Sequence, residues 1–273
     1  MTTDSSLQRT ETLRNISNYF DGYSEPWKQP YTSPASAWNE YHPIQLREDY
    51  AIEFIAGEPK GMAVDLGCGI GHALIRMKQV GFDRVVGIDI SPNMLADAGR
   101  LLEGAGLGAA VELYRGDVRD LTMIGSGTVD ACTALGVIEY HPEDGPMLKE
   151  VNRILKPNGV AVIQTRNFYC VDRRTWRIVQ RLIPRYRRKI VFREHRPTRF
   201  RAEVPALGFR IERECFSHFY ALYPLTAIPL VQKVVAPVNN YLSKKLEAFR
   251  GRPGSMFLAA TYMAKLRKVA DVT

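Results

Sequence analysis

Gly67, Gly69 and Gly71 stand at alternate positions in VDLGCGIGHAL, directly behind an apolar run that carries Asp65. Glycines so spaced let the backbone turn sharply and let a ligand lie against main chain where a Cβ would collide. The pattern is not the dinucleotide fingerprint, whose third glycine falls one residue later, where this chain has His72. No Gly-Lys-Ser/Thr follows, so a Walker phosphate loop is excluded. Two more acids follow apolar stretches, Asp89 in VVGIDIS and Asp117 in YRGDVRDL. Three carboxylates at three successive strand ends suit a ligand with an adenosine and a positive charge, and repel phosphate.

The elements that would position these groups alternate as β-α units. MAVDL, RVVGID, AVELYRGD, VDACTALGVI and VAVIQTRN read as strands. Between them GHALIRMKQVG reads as a helix closed by Gly81, SPNMLADAGRLLEGAG as a helix capped by Ser91 with Pro92 in its first turn, and EDGPMLKEVNRILKPNG as a helix stopped by Pro-Asn-Gly. A preceding helix is expected over LREDYAIEFIA, and a short helix ended by Gly208 leads into a later strand, with a last strand from about 255 to 264. The pattern predicts a doubly wound α/β sheet. It divides the chain into a loose end over 1–14, an aromatic lid over 15–60, a cofactor-binding core over 61–166, a basic helical cap over 167–201 and completion of the sheet over 202–273, with an apolar helical insertion near 219–250.

Composition narrows the class. The chain has 273 residues, 45% of them hydrophobic, and a net charge of +8; general disorder is unexpected at that hydrophobicity. Cys68, Cys132, Cys170 and Cys215 form no C-x-x-C pair and lie away from histidines at ligand spacing, which argues against zinc and disulfides and fits a reducing cytoplasm. The first fifteen residues contain acids and lack an apolar core, unlike a signal peptide. FYALYPLTAIPLVQKVVAPV is broken by three prolines and a Gln-Lys pair, short of the roughly 20 apolar residues that span a bilayer. A cytoplasmic protein, with peripheral membrane contact as an option, is expected.

At this point the residues resemble the class I S-adenosylmethionine-dependent methyltransferases, from about 62 to 165 and again over 199 to 264. VDLGCGIG is similar to that family's glycine motif, GIDISPNML to its ribose motif, GDVRDL to its adenine motif and LGVIEYHPEDGPMLKEVNRILKPNG to its fourth-strand motif. The resemblance implies a mostly parallel, seven-stranded Rossmann-like sheet, S-adenosyl-L-methionine as cofactor and S-adenosyl-L-homocysteine as product. It places Gly67, Cys68, Gly69 and Gly71 against the methionine and ribose portions, with Asp65 near the amino group. Asp89 would hold the ribose hydroxyls, Ile90 and Met94 a face of the adenine, and Asp117 the adenine amino group with Val118 beside it. Leu135 and Gly136 would lie near the sulfonium. Apart from the resemblance, the N-terminal aromatics read either as a lid from which Tyr41 or Arg47 would reach the cofactor's carboxylate or as a plain hydrophobic cover. Tyr140 stands after Glu139 where many relatives place histidine, which counts against histidine catalysis at that spot.

Methylation at oxygen or nitrogen often removes a proton, so Tyr140, His141, His195, His42 and Tyr220 are candidates for a general base, each with a structural role as its alternative. Transfer by proximity alone needs no base. The basic stretch from 166 to 201 holds only Asp172 and Glu194 as acids. It reads as a solvated face, as a patch for an anionic substrate or membrane surface, or as a nucleic-acid contact, with no appended RNA-binding module to favour the last. The expected function is methyl transfer to an O or N atom of a small or lipid-like molecule by in-line displacement. RNA methylation and a silent cofactor-binding protein that docks on a membrane or partner are the alternatives. No metal is expected, and the acceptor and oligomeric state stay open.

Overall fold

The computed structural model describes residues 2–22, 43–182, 192–219, 229–252 and 254–272. Seven strands form one sheet: β1 (Met62–Leu66), β2 (Arg84–Asp89), β3 (Val111–Arg115), β4 (Val129–Leu135), β5 (Leu155–Arg166), β6 (Phe209–Phe219) and β7 (Ala259–Lys268). Their spatial order is β3-β2-β1-β4-β5-β7-β6. The first five pair in parallel, and β7 runs antiparallel to both β5 and β6. Every residue of β1 and β4 is buried, which explains their unbroken apolar character: a parallel strand covered on both faces has no polar side to show.

The crossovers are α3 (His72–Gln79), α4 (Pro92–Gly104) and α5 (Gly145–Ile154), preceded by α1 (Thr2–Asp21) and α2 (Pro43–Ile55). After β5 come α6 (Val171–Leu182) and α7 (Pro197–Glu203), and after β6 come α8 (Pro229–Leu246) and the single turn α9 (Ser255–Leu258). Ser91 caps α4 as expected, its Oγ accepting from Met94 N at 3.1 Å. Gly208 ends the short 3-10 turn Val204–Leu207 in the left-handed conformation and releases the chain into β6.

Three boundaries depart from the sequence reading. The chain is helical from Thr2, where a loose end to residue 14 was expected; Leu13 and Ile16, with Phe20 one turn on, form a short stripe at helical spacing that polar neighbours hide. Pro157-Asn158-Gly159 does not belong to α5, which stops at Ile154; Asn158 adopts φ 63° inside an irregularity of the β4–β5 pairing. The last strand begins at Ala259, because Gly254 in the left-handed region starts α9 first.

Candidate functional site

The strand order reverses between β1 and β4, and in open α/β sheets the crevice at such a switch is where ligands sit. A cavity of about 970 Å³, counted with its open mouth, lies there. Asp65, Gly67, Cys68, Gly69, Gly71, Asp89, Ile90, Met94, Asp117, Val118, Leu135, Gly136, Arg47, Tyr140 and His141 all line it. Tyr41, with His42 and Tyr220, lies outside the described residues.

Its floor requires glycine. Gly67 has φ 69°, and a Cβ there would sit 2.3 Å from Val137 Cγ2; at Gly71, φ 89°, it would press on Ala98 Cβ at 3.1 Å. The turn that results carries Gly69 N to 2.9 Å from Asp89 Oδ2, while Ser91 N donates to Oδ1 of the same carboxylate, also at 2.9 Å. Asp89 is thus fixed at the tip of β2 by two backbone donors. Burial nonetheless raises its pKa, against those hydrogen bonds.

Asp65 sits one residue before the end of β1 and pairs in register with Thr133 of β4, whose Oγ1 donates to its Oδ1 at 2.5 Å. Burial pushes its carboxyl up to about 7. Asp117 is less available than the sequence suggests: Arg119 Nε reaches both its oxygens, at 3.1 and 3.3 Å, and Arg119 N donates to Oδ1 at 3.0 Å. Only the part of Asp117 that faces the cavity remains for a ligand.

The three base candidates separate. Burial, and then the Arg119 charge, lower His141 to about 4, and its Nδ1 is buried in the cavity wall with no hydrogen-bond partner among the described residues. Burial raises the Tyr140 phenol, which therefore keeps its proton. His195 does not line the cavity: its Nδ1 meets Thr165 Oγ1, and its Nε2 lies 2.9 Å from Asp144 Oδ1 and 2.8 Å from an Arg193 nitrogen. Its place is a buried network holding Arg193 and Asp144 together, at a separate cavity lined also by Phe168 and Phe200.

The lid expected over 15–60 begins earlier, with Leu13, and sequence reasoning missed one wall. Leu13, Ile16 and Phe20 of α1 cover the cavity, and Ser91 Oγ donates to Asp21 Oδ1 at 2.5 Å. Glu139, Gln164 and Arg166 gather beside Gly136. The spacing of Leu13, Ile16 and Phe20 was a readable signal; the second group is assembled only by strand pairing.

Residues 64–163 match the family described as a methyltransferase domain. A ubiquinone biosynthesis O-methyltransferase of Xanthomonas axonopodis pv. citri is 28% identical over 128 residues, 46% of this chain and 52% of that protein. A demethylmenaquinone methyltransferase of Lactobacillus johnsonii is 34% identical over 106 residues, 38% and 43% of the two chains. A sterol 24-C-methyltransferase of Gibberella zeae is 25% identical over 160 residues, 58% and 41%. The chain spans about half the length, or less, of these relatives. Magnesium protoporphyrin IX methyltransferase from Synechocystis PCC 6803, solved with bound S-adenosylhomocysteine, superposes with a TM-score of 0.66 over 93% of this chain and 99% of that one, at 16% identity. The [4+2]-cyclase SpnF gives 0.62 over 94% and 96%, at 15% identity. These last two likenesses establish the fold. Residues 64–163 thus match a methyltransferase domain, and they carry the glycine-floored cavity at the reversal of strand order in a sheet of the Rossmann-like methyltransferase fold.

Proposed function

We propose that this protein transfers a methyl group from S-adenosylmethionine to a small or lipid-like molecule. The observation that carries the reading is the cavity itself: a floor that only glycine can form, with Asp65, Asp89 and Asp117 in its wall. Such a wall fits a cationic nucleoside and disfavours a phosphorylated one. The fold is shared with a cyclase, so the motif set and the cavity support this reading more than the architecture does.

The cofactor supplies an electrophilic methyl group when bound. Asp89, already held by Gly69 N and Ser91 N, directs its remaining lone pairs at the ribose hydroxyls. Gly67, Cys68, Gly69 and Gly71 lie along the amino-acid portion, and Asp65 and Arg47 face its amino and carboxylate ends. Ile90, Met94 and Val118 enclose the adenine, with the outer edge of Asp117 and the neutral ring of His141 at its polar rim. Leu135 and Gly136 border the methyl path. The α1 roof excludes water, which strengthens each of these electrostatic contacts.

Relatives named for ubiquinone, menaquinone and sterol methylation support a lipid-like acceptor. A peripheral membrane contact is the companion proposal, favoured by α6, which has no buried residue and exposes Val171, Ile178 and Leu182 beside Arg174, Arg177 and Arg181.

The test uses labelled S-adenosylmethionine and a cell extract partitioned into organic, small aqueous and nucleic-acid fractions. Label is expected in the organic or small aqueous fraction. Asp89→Ala is expected to weaken cofactor binding by at least about a hundredfold, the cost of two charge-assisted hydrogen bonds. Label confined to nucleic acid, or normal cofactor binding by the variant, would remove this reading.

A further inference from the structure

Beside Gly136, at the edge of the cavity, side chains from α2, the turn after β4, and β5 converge on one point. A Cβ built on Gly136 would lie 3.2 Å from Arg47 Nη1, 3.6 Å from Gln164 Oε1 and 3.9 Å from Glu139 Oε1. Glycine, at φ 74°, therefore leaves a polar recess that any other residue would narrow. Glu139 is 5% exposed and Gln164 3%. Arg166 Nε donates to Glu139 Oε1 at 2.7 Å; Glu139 Oε2 is buried and accepts from no described residue, and the same holds for Gln164 Oε1. Buried acceptors are normally satisfied, so two orphans side by side mark a place where a donor belongs.

The recess also has an aromatic wall. Phe20 and Tyr140 both line the cavity, with ring centroids 5.2 Å apart in an edge-to-face arrangement. Tyr140 packs edge-on to Phe192 at 5.2 Å, and the Arg166 guanidinium carbon stands 3.8 Å over that ring. Arg166 thus joins Glu139 to the aromatic cluster that continues through Phe192 and Tyr140 to the cavity.

Resting on the methyltransferase reading above, we propose that this recess is the methyl-acceptor site and that the acceptor is a hydroxyl borne on a flat, ring-like body. The O–H donates to Glu139 Oε2, Gln164 holds the same or a neighbouring oxygen, and the ring lies against Phe20 and Tyr140. Oxygen is favoured over nitrogen because Arg47 and Arg166 flank the recess: guanidinium groups repel an ammonium and stabilise an oxygen that is losing its proton. The balance is simple. The O–H electron pair stays on oxygen and becomes the O–CH3 bond, the donor's departing portion keeps the pair of the bond that breaks, and the proton passes to Glu139 Oε2 and then to water.

The experiment titrates full-length protein, saturated with S-adenosylhomocysteine, with naphthol and with its methyl ether, following naphthalene fluorescence. Wild-type protein is expected to prefer the hydroxyl compound by about ten- to hundredfold, the worth of one hydrogen bond to a carboxylate. Glu139→Gln is expected to cut that preference to about threefold or less, since a neutral acceptor gives roughly half the bond strength, with S-adenosylhomocysteine affinity unchanged. Failure of the wild type to bind naphthol, equal binding of the two compounds, or a preference that survives in the variant would overturn the proposal. The wild-type comparison decides even if the variant does not fold. Wild-type protein that does not bind S-adenosylhomocysteine would instead bring down the methyltransferase reading, and this site with it.

Discussion

Burial is the largest influence on Asp65 and takes its carboxyl up to about 7; the Thr133 hydroxyl opposes the rise, Glu48 adds to it, Arg47 opposes it and Asp89 adds again. Because the folded value lies above the ordinary 3.8, the folded protein holds a proton there that the unfolded chain releases. The stability this contributes is fully present below the ordinary value and is lost as pH rises through about 7. A ligand ammonium set against Asp65 reverses the preference, since it needs the ionised carboxylate. Affinity for S-adenosylhomocysteine, which keeps that ammonium, is therefore expected to rise about tenfold between pH 6 and pH 8. His72 and His141, both lowered to about 4 by burial, stay neutral over that range. Calorimetry at several pH values checks this, and Asp65→Asn should flatten the curve; a flat wild-type curve would mean that Asp65 does not meet the ammonium. Asp65 and the glycines were legible because their spacing along one short stretch reports the turn they make, and Asp89 because it ends the next apolar strand. Glu139 and Arg166 were not, being 27 positions apart and adjacent only once β5 lies beside β4.

Helix α1 is held over the cavity mainly through its last turns. Ser91, which already caps α4, donates its hydroxyl to Asp21 Oδ1 at 2.5 Å, and Ser17 Oγ donates to Ile90 O at 3.4 Å. One serine thus couples the start of α4, where Ile90 and Met94 line the cavity, to the end of the roof. A roof tied through its last turn to the start of α4 and resting on Leu13, Ile16 and Phe20 can open without disturbing the sheet. Asp21→Ala is expected to leave the melting temperature nearly unchanged while S-adenosylhomocysteine dissociates about three- to tenfold faster in stopped flow, through loss of the bond from Ser91 Oγ and the longer one from Asn93 N. Unchanged dissociation would separate α1 from gating. Among elements, the β-α repeats were readable because parallel strands buried on both faces are nearly pure apolar runs. A lid was expected from residue 15; its helical start before that escaped because the apolar stripe has few members, set in a polar sequence.

Across the whole molecule the positive charge concentrates in the stretch from 166 to 201, but many of its arginines are already paired. Arg166 pairs with Glu139, Arg177 with Glu194, Arg193 with Asp144, Arg199 with Glu203 and Arg201 with Glu214. Much of the arginine content thus binds the segment to the sheet and to itself, a reading that composition alone cannot separate from a ligand patch. Helix α6 differs. Val171 is 53% exposed, Ile178 60% and Leu182 73%, at positions that share one stripe, with Arg174, Arg177 and Arg181 along its flank. No described helix is long and apolar enough to cross a membrane, so any lipid contact made by α6 lies in the interface plane, where apolar burial and attraction to anionic headgroups add. The two contributions predict different responses. Flotation with vesicles of mixed anionic and zwitterionic lipid should recover the protein, and about 0.5 M salt should weaken binding severalfold through the arginines without abolishing it. Ile178→Glu with Leu182→Glu should abolish it even at low salt while leaving S-adenosylhomocysteine binding intact. Recovery unaffected by the double substitution would assign the attraction to charge alone and leave the exposed stripe unconnected to lipid.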